Sequence, residues 1–153
     1  MPENIVNFGI GDSSASGYFG HGTAGTAATV GTDILISEDG IVASFPTHEV
    51  LKDWANKVIR AKPGEDLPTV QANFISTNSA LFSLLFEGTT IDPNITPTPR
   101  SFIFKMVDGD DTLTYSTLNG VVTEVSDVTF APNDVITWTA TITAESWTIS
   151  KTT

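Results

Sequence analysis

The stretch Asp134-Val-Ile-Thr-Trp138-Thr-Ala-Thr-Ile142-Thr-Ala144 alternates apolar and polar side chains along most of its length. Successive side chains of a β-strand point to opposite faces of the sheet. Threonine therefore occupies one face, at positions 137, 139, 141 and 143, and apolar residues occupy the other: Ile136, Trp138, Ala140, Ile142 and Ala144. The pattern predicts a half-buried strand with Trp138 in the core.

The same alternation recurs elsewhere, which predicts a mainly β protein. The further strand segments are Val70-Ala72-Phe74, Phe102-Phe104-Met106 and Val121-Thr123-Val125, with Val128 and Phe130 resuming the pattern after Asp127. Dipeptides typical of turns separate such segments, and they are Asp39-Gly40, Pro63-Gly64, Asp108-Gly109 and Asn119-Gly120. Asn-Gly is the strongest of these hairpin signals.

One segment changes to helical spacing. Between residues 77 and 87 the leucines stand at 81, 84 and 85, which predicts one short amphipathic helix. Asn78 or Ser79 can cap its start, and Gly88 is expected to end it. The following residues, 89 to 99, contain three prolines and are predicted to form a loop from helix to strand.

The first thirty residues differ in composition from the rest. Residues 9 to 31 are rich in Gly, Ala, Ser and Thr and offer little to bury, so residues 1–30 are predicted to form an extended arm or loop. A chain of 153 residues with 40% apolar and 16% charged residues is expected to fold as a single domain, 1–153.

Charge and composition exclude several classes of function. The formal net charge of −11 disfavours stable nucleic-acid binding, and the absence of cysteine rules out disulfides and thiolate chemistry. The N-terminus has neither the basic start nor the apolar run of a signal peptide, which predicts synthesis and retention in a cytoplasm. No run of about 20 apolar residues is present, so no membrane span is expected.

The residues with catalytic or metal-binding chemistry do not form a recognisable site. His21 and His48 match no nucleophile elbow or zinc signature, even with Ser44 and Glu49 near the second histidine, and surface histidines are expected. Residues 108–111 place three carboxylates in four positions, for which a solvated turn is favoured over a Ca²⁺ site. We therefore expect no catalytic residue, no metal and no cofactor, and predict that the chain is not an enzyme.

The tryptophans leave two alternatives open. Trp138 is expected in the core, whereas the burial of Trp54 and Trp147 does not follow from the sequence. Exposed, they would form a sugar-stacking platform, as in a β-sandwich adhesin or carbohydrate-binding module. Alternatively, they anchor an interface between subunits, where aromatic side chains concentrate.

The order of segments resembles the major tail tube protein family of siphophages, the phages with long non-contractile tails. A Gly/Thr/Ala-rich start precedes Val30-Gly-Thr-Asp-Ile-Leu-Ile-Ser-Glu-Asp-Gly-Ile41, and a polar strand near Trp54 is followed by cations at Lys57 and Arg60. The most characteristic piece is Phe74-Ile-Ser-Thr-Asn-Ser-Ala-Leu-Phe-Ser-Leu-Leu-Phe-Glu-Gly88. The segments from 108 to 130 and the strand to Ala144 are similar to the closing hairpins of the family.

The resemblance implies a β-sandwich or rolled barrel with one flanking helix. It also implies self-assembly into stacked, hexameric rings whose hollow lumen conducts DNA during ejection, in a virion tail assembled in the bacterial cytoplasm. A tape-measure protein, a tail terminator and tail-tip proteins are the implied partners, with DNA only in transit. The immunoglobulin-like domain that many relatives carry at the C-terminus is not expected here.

Candidate residues follow from this implied assembly. The acidic residues around Trp54 occupy the place of a long hairpin in the family, and the candidates for facing the lumen are Glu49, Asp53, Glu65 and Asp66. The candidates for contacts between subunits are Phe8, Tyr18, Phe19, Trp54, Pro93, Pro97 and Trp147. The Gly-rich arm and the Pro-rich loop are the candidates for contacts between rings.

Overall fold

The computed structural model describes residues 18–31, 33–56, 58–63, 66–75, 77–108 and 111–152. In this part of the chain it contains nine strands and one helix. In chain order they are β1 (Phe19–Thr23), β2 (Ile36–Ser44), β3 (His48–Lys52), β4 (Val58–Pro63), β5 (Thr69–Phe74), α1 (Ser79–Phe86), β6 (Arg100–Asp108), β7 (Asp111–Val125), β8 (Trp138–Ala144) and β9 (Thr148–Thr152).

The strands form a curled antiparallel sheet in the order β1-β6-β7-β8-β5-β2, and β9 also pairs with β7. The long strand β7 is the spine of the sheet. Its one edge pairs with β6, and its other edge pairs first with β9 and then with β8. The sheet curls into a half-barrel with the helix beside it, which confirms the predicted mainly β class with one short flanking helix.

The core lies on the inner face of this half-barrel and contains the predicted apolar positions. Along β8 the buried residues are Trp138, Ala140, Ile142 and Ala144, as the alternation predicts. Val70, Ala72 and Phe74 of β5 and Phe102, Phe104 and Met106 of β6 are buried as well. The register places Ala72 opposite Ala140 and Phe74 opposite Trp138, so these inner faces coincide across the sheet.

Asn119-Gly120 does not form the predicted turn, because β7 runs through it. Phe102 pairs with Thr117 but Arg100 pairs with Gly120, so β7 holds one extra residue there, in a β-bulge. A Cβ on Gly120 would lie 3.0 Å from Phe102 Cδ2 and 3.1 Å from Ile142 Cγ2, so a larger residue would require these side chains to shift. The bulge shifts the alternation by one residue, so that Gly120 and Val122 are buried, and a second register shift follows between Val122 and Glu124. Such bulges bend and twist a strand and so help the sheet to curl.

Asp39-Gly40 is also part of a strand, so the predicted turn is wrong. Both residues lie in β2, where the pairing with β5 shifts between Ile36 and Ile41. Gly40 has φ of 69°, a conformation that favours glycine. Its carbonyl accepts a hydrogen bond from Asn73 Nδ2 at 3.0 Å, which ties the irregular segment to β5.

The helix matches its prediction at the start and differs at the end. The Asn78 side chain caps it by accepting the Leu81 N–H at 3.0 Å, and Leu81, Leu84 and Leu85 are buried. The left-handed residue that ends the helix is Glu87, with φ of 58°, instead of Gly88. The Glu87 N–H donates to the Ser83 carbonyl at 3.1 Å, which completes the last turn.

Within the arm predicted over residues 1–30, the described residues 18–30 are folded. Residues 1–17, including Phe8, lie outside the described part. Phe19 begins β1, is 2% exposed and packs on Phe74 and Phe104, with ring centroids 5.0 and 5.1 Å away. Residues 18–30 therefore include a strand of the sheet and a core side chain, in contrast to the prediction of a loose segment.

Candidate assembly surfaces

Strands β3 and β4 form a hairpin with its own two-stranded sheet, separate from the half-barrel sheet. Its end is a tight turn in which the Ala55 N–H donates to Asp53 Oδ1 at 2.9 Å and the Asn56 N–H donates to the Asp53 carbonyl at 3.0 Å. Asn56 has φ of 64°, which asparagine tolerates. Trp54 stands on this ordered turn with its side chain 99% exposed.

Three of the four acidic residues predicted to face the lumen lie in or next to this hairpin. Glu49 is in β3 and is the register partner of Lys62, Asp53 is the half-buried residue of the turn, and Asp66 is exposed after β4. Glu65 lies outside the described residues. The hairpin segment 48–63 contains four cations, Lys52, Lys57, Arg60 and Lys62, against Glu49 and Asp53, so it carries a net charge of +2.

Two candidates for subunit contacts, Tyr18 and Phe19, lie among the described residues and make contacts within the subunit. Tyr18 accepts the Lys105 N–H on its carbonyl at 2.8 Å, and the Lys105 ammonium lies 5.9 Å from the centre of its ring. Phe19 is buried in the core, so its side chain packs within its own subunit. The sequence did not predict this burial, because the glycines around Phe19 interrupt the apolar and polar alternation by which a strand is recognised.

Trp147 is half-buried and fixed against the inner face. Its ring stacks on Tyr115 with centroids 5.0 Å apart and planes 1° from parallel. Its indole N–H donates to the Pro68 carbonyl at 3.2 Å. Phe45, which is exposed, meets the same Tyr115 edge to face at 6.5 Å. Trp147 is therefore held by contacts within its own subunit, and Trp54 and Trp147 have different environments.

The Pro-rich loop after the helix is exposed at Pro93 and Pro97 and is fastened at its end by Glu87. Glu87 Oε1 accepts the Thr98 N–H at 2.8 Å, and Oε2 accepts from Thr98 Oγ1 at 3.0 Å and from the Arg100 guanidinium at 2.9 Å. Burial pushes the pKa of Glu87 upward, but the hydrogen bonds from Thr98 and the charge of Arg100 outweigh it and hold the pKa below its ordinary value.

An aromatic notch lies between the helix and this loop. Its volume is about 240 Å³, and its lining is Phe82, Phe86, Gly88, Thr89, Ile91 and Trp138. Ile91 is 75% exposed, and Phe130, which is 67% exposed, meets Trp138 with ring centroids 5.9 Å apart. Trp138 is 8% exposed, and its indole N–H has no hydrogen-bond partner among the described residues. Phe82 and Phe86 stand four residues apart, and this helical spacing indicates a second apolar face of the helix.

A larger groove lies where β7 passes from β9 to β8. It has a volume of about 600 Å³, and Leu67, Leu118, Val121 and Glu145 are among its lining residues, with several threonines. Leu67 and Leu118 are exposed. The groove contains the bulge of β7, where the Leu118 carbonyl accepts the Gly25 N–H at 2.9 Å. Its lining mixes apolar and hydroxyl side chains, unlike that of the aromatic notch.

The residues considered for chemistry lie apart. His21 is in β1 and His48 begins β3, on a different sheet. Burial, and then the nearby Arg100 charge, lower the pKa of His21. Asp111, predicted to lie in a solvated turn, is instead 3% exposed and pairs with Lys151 at 3.0 Å. Among the described residues, no group of three or more His, Asp or Glu side chains is arranged to hold a metal ion.

Within the described residues, no helix has both the length and the apolar character needed to cross a membrane. Comparisons of the chain with protein-family models, with curated proteins and with solved structures find no match. The described residues show three features from which a function can be proposed: the curled sheet with an exposed edge strand, the separate hairpin with an exposed tryptophan, and the distribution of charge.

Proposed function

We propose that this chain is the structural subunit of a siphophage-type tail tube, which assembles into stacked rings, expected to be hexameric, around a lumen that conducts DNA during ejection. The observation that carries the proposal is the combination of a curled β half-barrel with surfaces that are unusual for a finished monomer. These surfaces are an exposed edge strand and a hairpin that forms a separate sheet.

The edge strand β9 supports assembly through backbone pairing. All five of its residues are exposed, and within the described residues β7 is the strand with which it pairs. The outer edge of such a strand presents N–H and C=O groups that can bind a strand of another copy. Ring closure would pair these edges and remove the exposed strand from each subunit.

The charge supports passage of DNA without adhesion. The chain carries 18 acidic and 7 basic residues. Carboxylates facing the lumen would repel the phosphate backbone, and screening limits this effect to about 8 Å at physiological salt. Because the hairpin segment is net positive, we place it between subunits and the acidic remainder of the chain toward the lumen. Of the four lumen-facing candidates, this placement favours Glu65 and Asp66, which follow the hairpin segment, over Glu49 and Asp53, which belong to it.

The proposal implies a location and a set of partners for the protein. Its location would be the virion tail after assembly in the host bacterial cytoplasm. Its partners would be copies of itself, a tape-measure protein inside the tube, a terminator and tail-tip proteins, and DNA in transit without specific binding. Such a subunit is a structural protein and not an enzyme, and it needs no cofactor.

A carbohydrate-binding module or adhesin is the second candidate, and the exposed Trp54 is the observation that favours it. An exposed indole can stack on a sugar ring as well as on another subunit. This candidate predicts a monomer that binds glycans through Trp54.

Negative-stain electron microscopy and sedimentation velocity on concentrated protein test the proposal. We expect rings or tubes of uniform width. A species that remains monomeric over a range of salt and protein concentrations would contradict it. A glycan array with wild type and Trp54→Ala serves as the companion measurement, in which Trp54-dependent binding by monomers would favour the second candidate.

A further inference from the structure

Trp54 is exposed on an ordered turn. Two hydrogen bonds to Asp53 order the backbone of this turn, so the position from which the indole projects is set before any partner binds. Tryptophan is among the residues that dominate interfaces, because it brings a large apolar area at a small cost in conformational entropy. A side chain that is 99% exposed on a rigid turn therefore points to a binding contact made outside the monomer.

The net positive charge of the hairpin favours a negatively charged partner surface. Residues 48–63 carry a net charge of +2, and because the whole chain carries −11, the remainder carries −13. A cationic hairpin favours an acidic surface and is repelled by a cationic one. The body of a second copy of the same chain is such an acidic surface.

The aromatic notch is the acceptor that best fits an indole. Phe82, Phe86 and Trp138 line it, and aromatic rings prefer edge-to-face or offset contacts with one another. The indole N–H of Trp138 lacks an acceptor among the described residues, and a backbone carbonyl of an inserted turn would supply one. Asp92 is exposed and follows Ile91 in the chain, so it adds a negative charge near the notch, of the sign that attracts Lys52 of the hairpin. The larger groove, with its threonines, offers fewer aromatic contacts.

We propose that Trp54 of one copy inserts into the notch formed by Phe82, Phe86, Ile91 and Trp138 of a neighbouring copy. This inference rests on the proposed function, because it names the contact by which subunits of a tube would join. The hairpin and the notch are different surfaces, so the contact is heterologous. Repeating a heterologous contact produces a closed ring or an open helical array.

The absence of cysteine from the chain allows a direct test by crosslinking. One population carries Ala55→Cys, next to Trp54 on the exposed turn, and the other carries Thr89→Cys, in the lining of the notch. The two are mixed and treated with a short bis-maleimide. We expect a heterodimer crosslink between these two populations. Leu118→Cys, in the larger groove, replaces Thr89→Cys as the matched control and should give background crosslinking.

The role of the indole is tested in the same assay. Adding Trp54→Ala to the Ala55→Cys population should reduce crosslinking to Thr89→Cys by about tenfold, and Trp54→Phe should restore part of it. Equal crosslinking with and without Trp54, or stronger crosslinking to Leu118→Cys, would overturn the inference. Unchanged thermal melting of Trp54→Ala as a monomer establishes that the variant folds.

The two proposals fail in different ways. Tubes formed by Trp54→Ala as readily as by wild type would overturn the insertion of Trp54 and leave the tail-tube proposal in place. Specific crosslinking between turn and notch in a sample that forms only small oligomers would support the insertion and contradict the tube.

Discussion

Trp138 and Trp54 represent two regions of the molecule with opposite environments. In the half-barrel, Trp138 is 8% exposed and lies against Phe82, Phe86 and Phe130, with ring centroids 5.5 to 6.0 Å away. In the hairpin, Trp54 is 99% exposed. The comparison teaches that the same side chain supports folding where other segments of the chain cover it and is exposed where they do not.

The two regions also differ in what orders their backbone. In the half-barrel, each interior strand pairs with a neighbouring strand along both of its edges. Buried side chains such as Val70 and Phe74 fill the inner face of the sheet. In the hairpin, β3 and β4 pair with each other in a sheet of their own. An isolated two-stranded hairpin has marginal stability in water. A second copy that covers the hairpin would therefore stabilise it.

The largest expected effect is the loss of Trp138. Trp138→Ala should lower the free energy of unfolding by about 3–5 kcal/mol, because it removes a buried ring on which three other aromatic rings pack. Trp54→Ala is the matched control and should change it by less than about 0.5 kcal/mol in the monomer. Chemical denaturation of dilute protein measures both, and similar losses for the two variants would contradict the assignment of core and anchor.

A smaller effect is expected where β1 passes close to the chain that follows it. A Cβ on Gly20 would lie 1.9 Å from the Thr29 carbonyl oxygen, so Gly20→Ala forces the backbone to move and should cost about 1–3 kcal/mol. Gly22→Ala is the control on the same strand, because its nearest neighbour is the Ser101 hydroxyl at 3.2 Å, on a side chain that can rotate. Thermal melts of equal stability for both variants would show that β1 is not fixed at residue 29.

The smallest effect concerns the loop beside the notch. Glu87→Gln should cost about 1 kcal/mol at pH 7, because it removes the charge that pairs with Arg100. The folded pKa of Glu87 is below the ordinary 4.5, so this stabilisation is present above 4.5 and is lost as the pH falls through the folded pKa.

Urea unfolding of wild type and Glu87→Gln at pH 7 and at pH 3 measures the effect. The difference between the two proteins should shrink at the lower pH, whereas Glu124→Gln, at an exposed position of β7, should show little difference at either pH. A gap for Glu87→Gln that is constant with pH would contradict the role of its ionised carboxylate.

The local pattern of apolar and polar residues predicts much of the core, but it does not predict where the sheet bends. The apolar positions of β5, β6 and β8 and the Asn78 cap are confirmed because periodicity and capping act within a few residues. Asn119-Gly120 was predicted as a turn, but the same flexible residues serve a bulge inside β7. A dipeptide that permits a turn does not require one, since pairing with β6 and β8 selects the extended path.

The candidate surfaces were predictable in part. The sequence shows Trp54 within a polar segment, which made it a candidate for an exposed contact. The notch combines residues 82 to 91 with residue 138, and it forms only when α1 packs beside β8. Tyr115 and Pro68, which fix Trp147, are likewise distant from it in the chain. Such sites depend on long-range contacts that no local pattern contains.

Composition and alternation were sufficient to establish a mainly β chain with one short helix, a strong negative charge and a chain without thiol chemistry, because these properties depend on residue type and on spacing over a few positions. The curl of the sheet, the burial of Phe19 and the contrast between Trp54 and Trp138 were decided by packing. Burial depends on which distant strands cover a side chain, and that information arises only when the whole chain has folded.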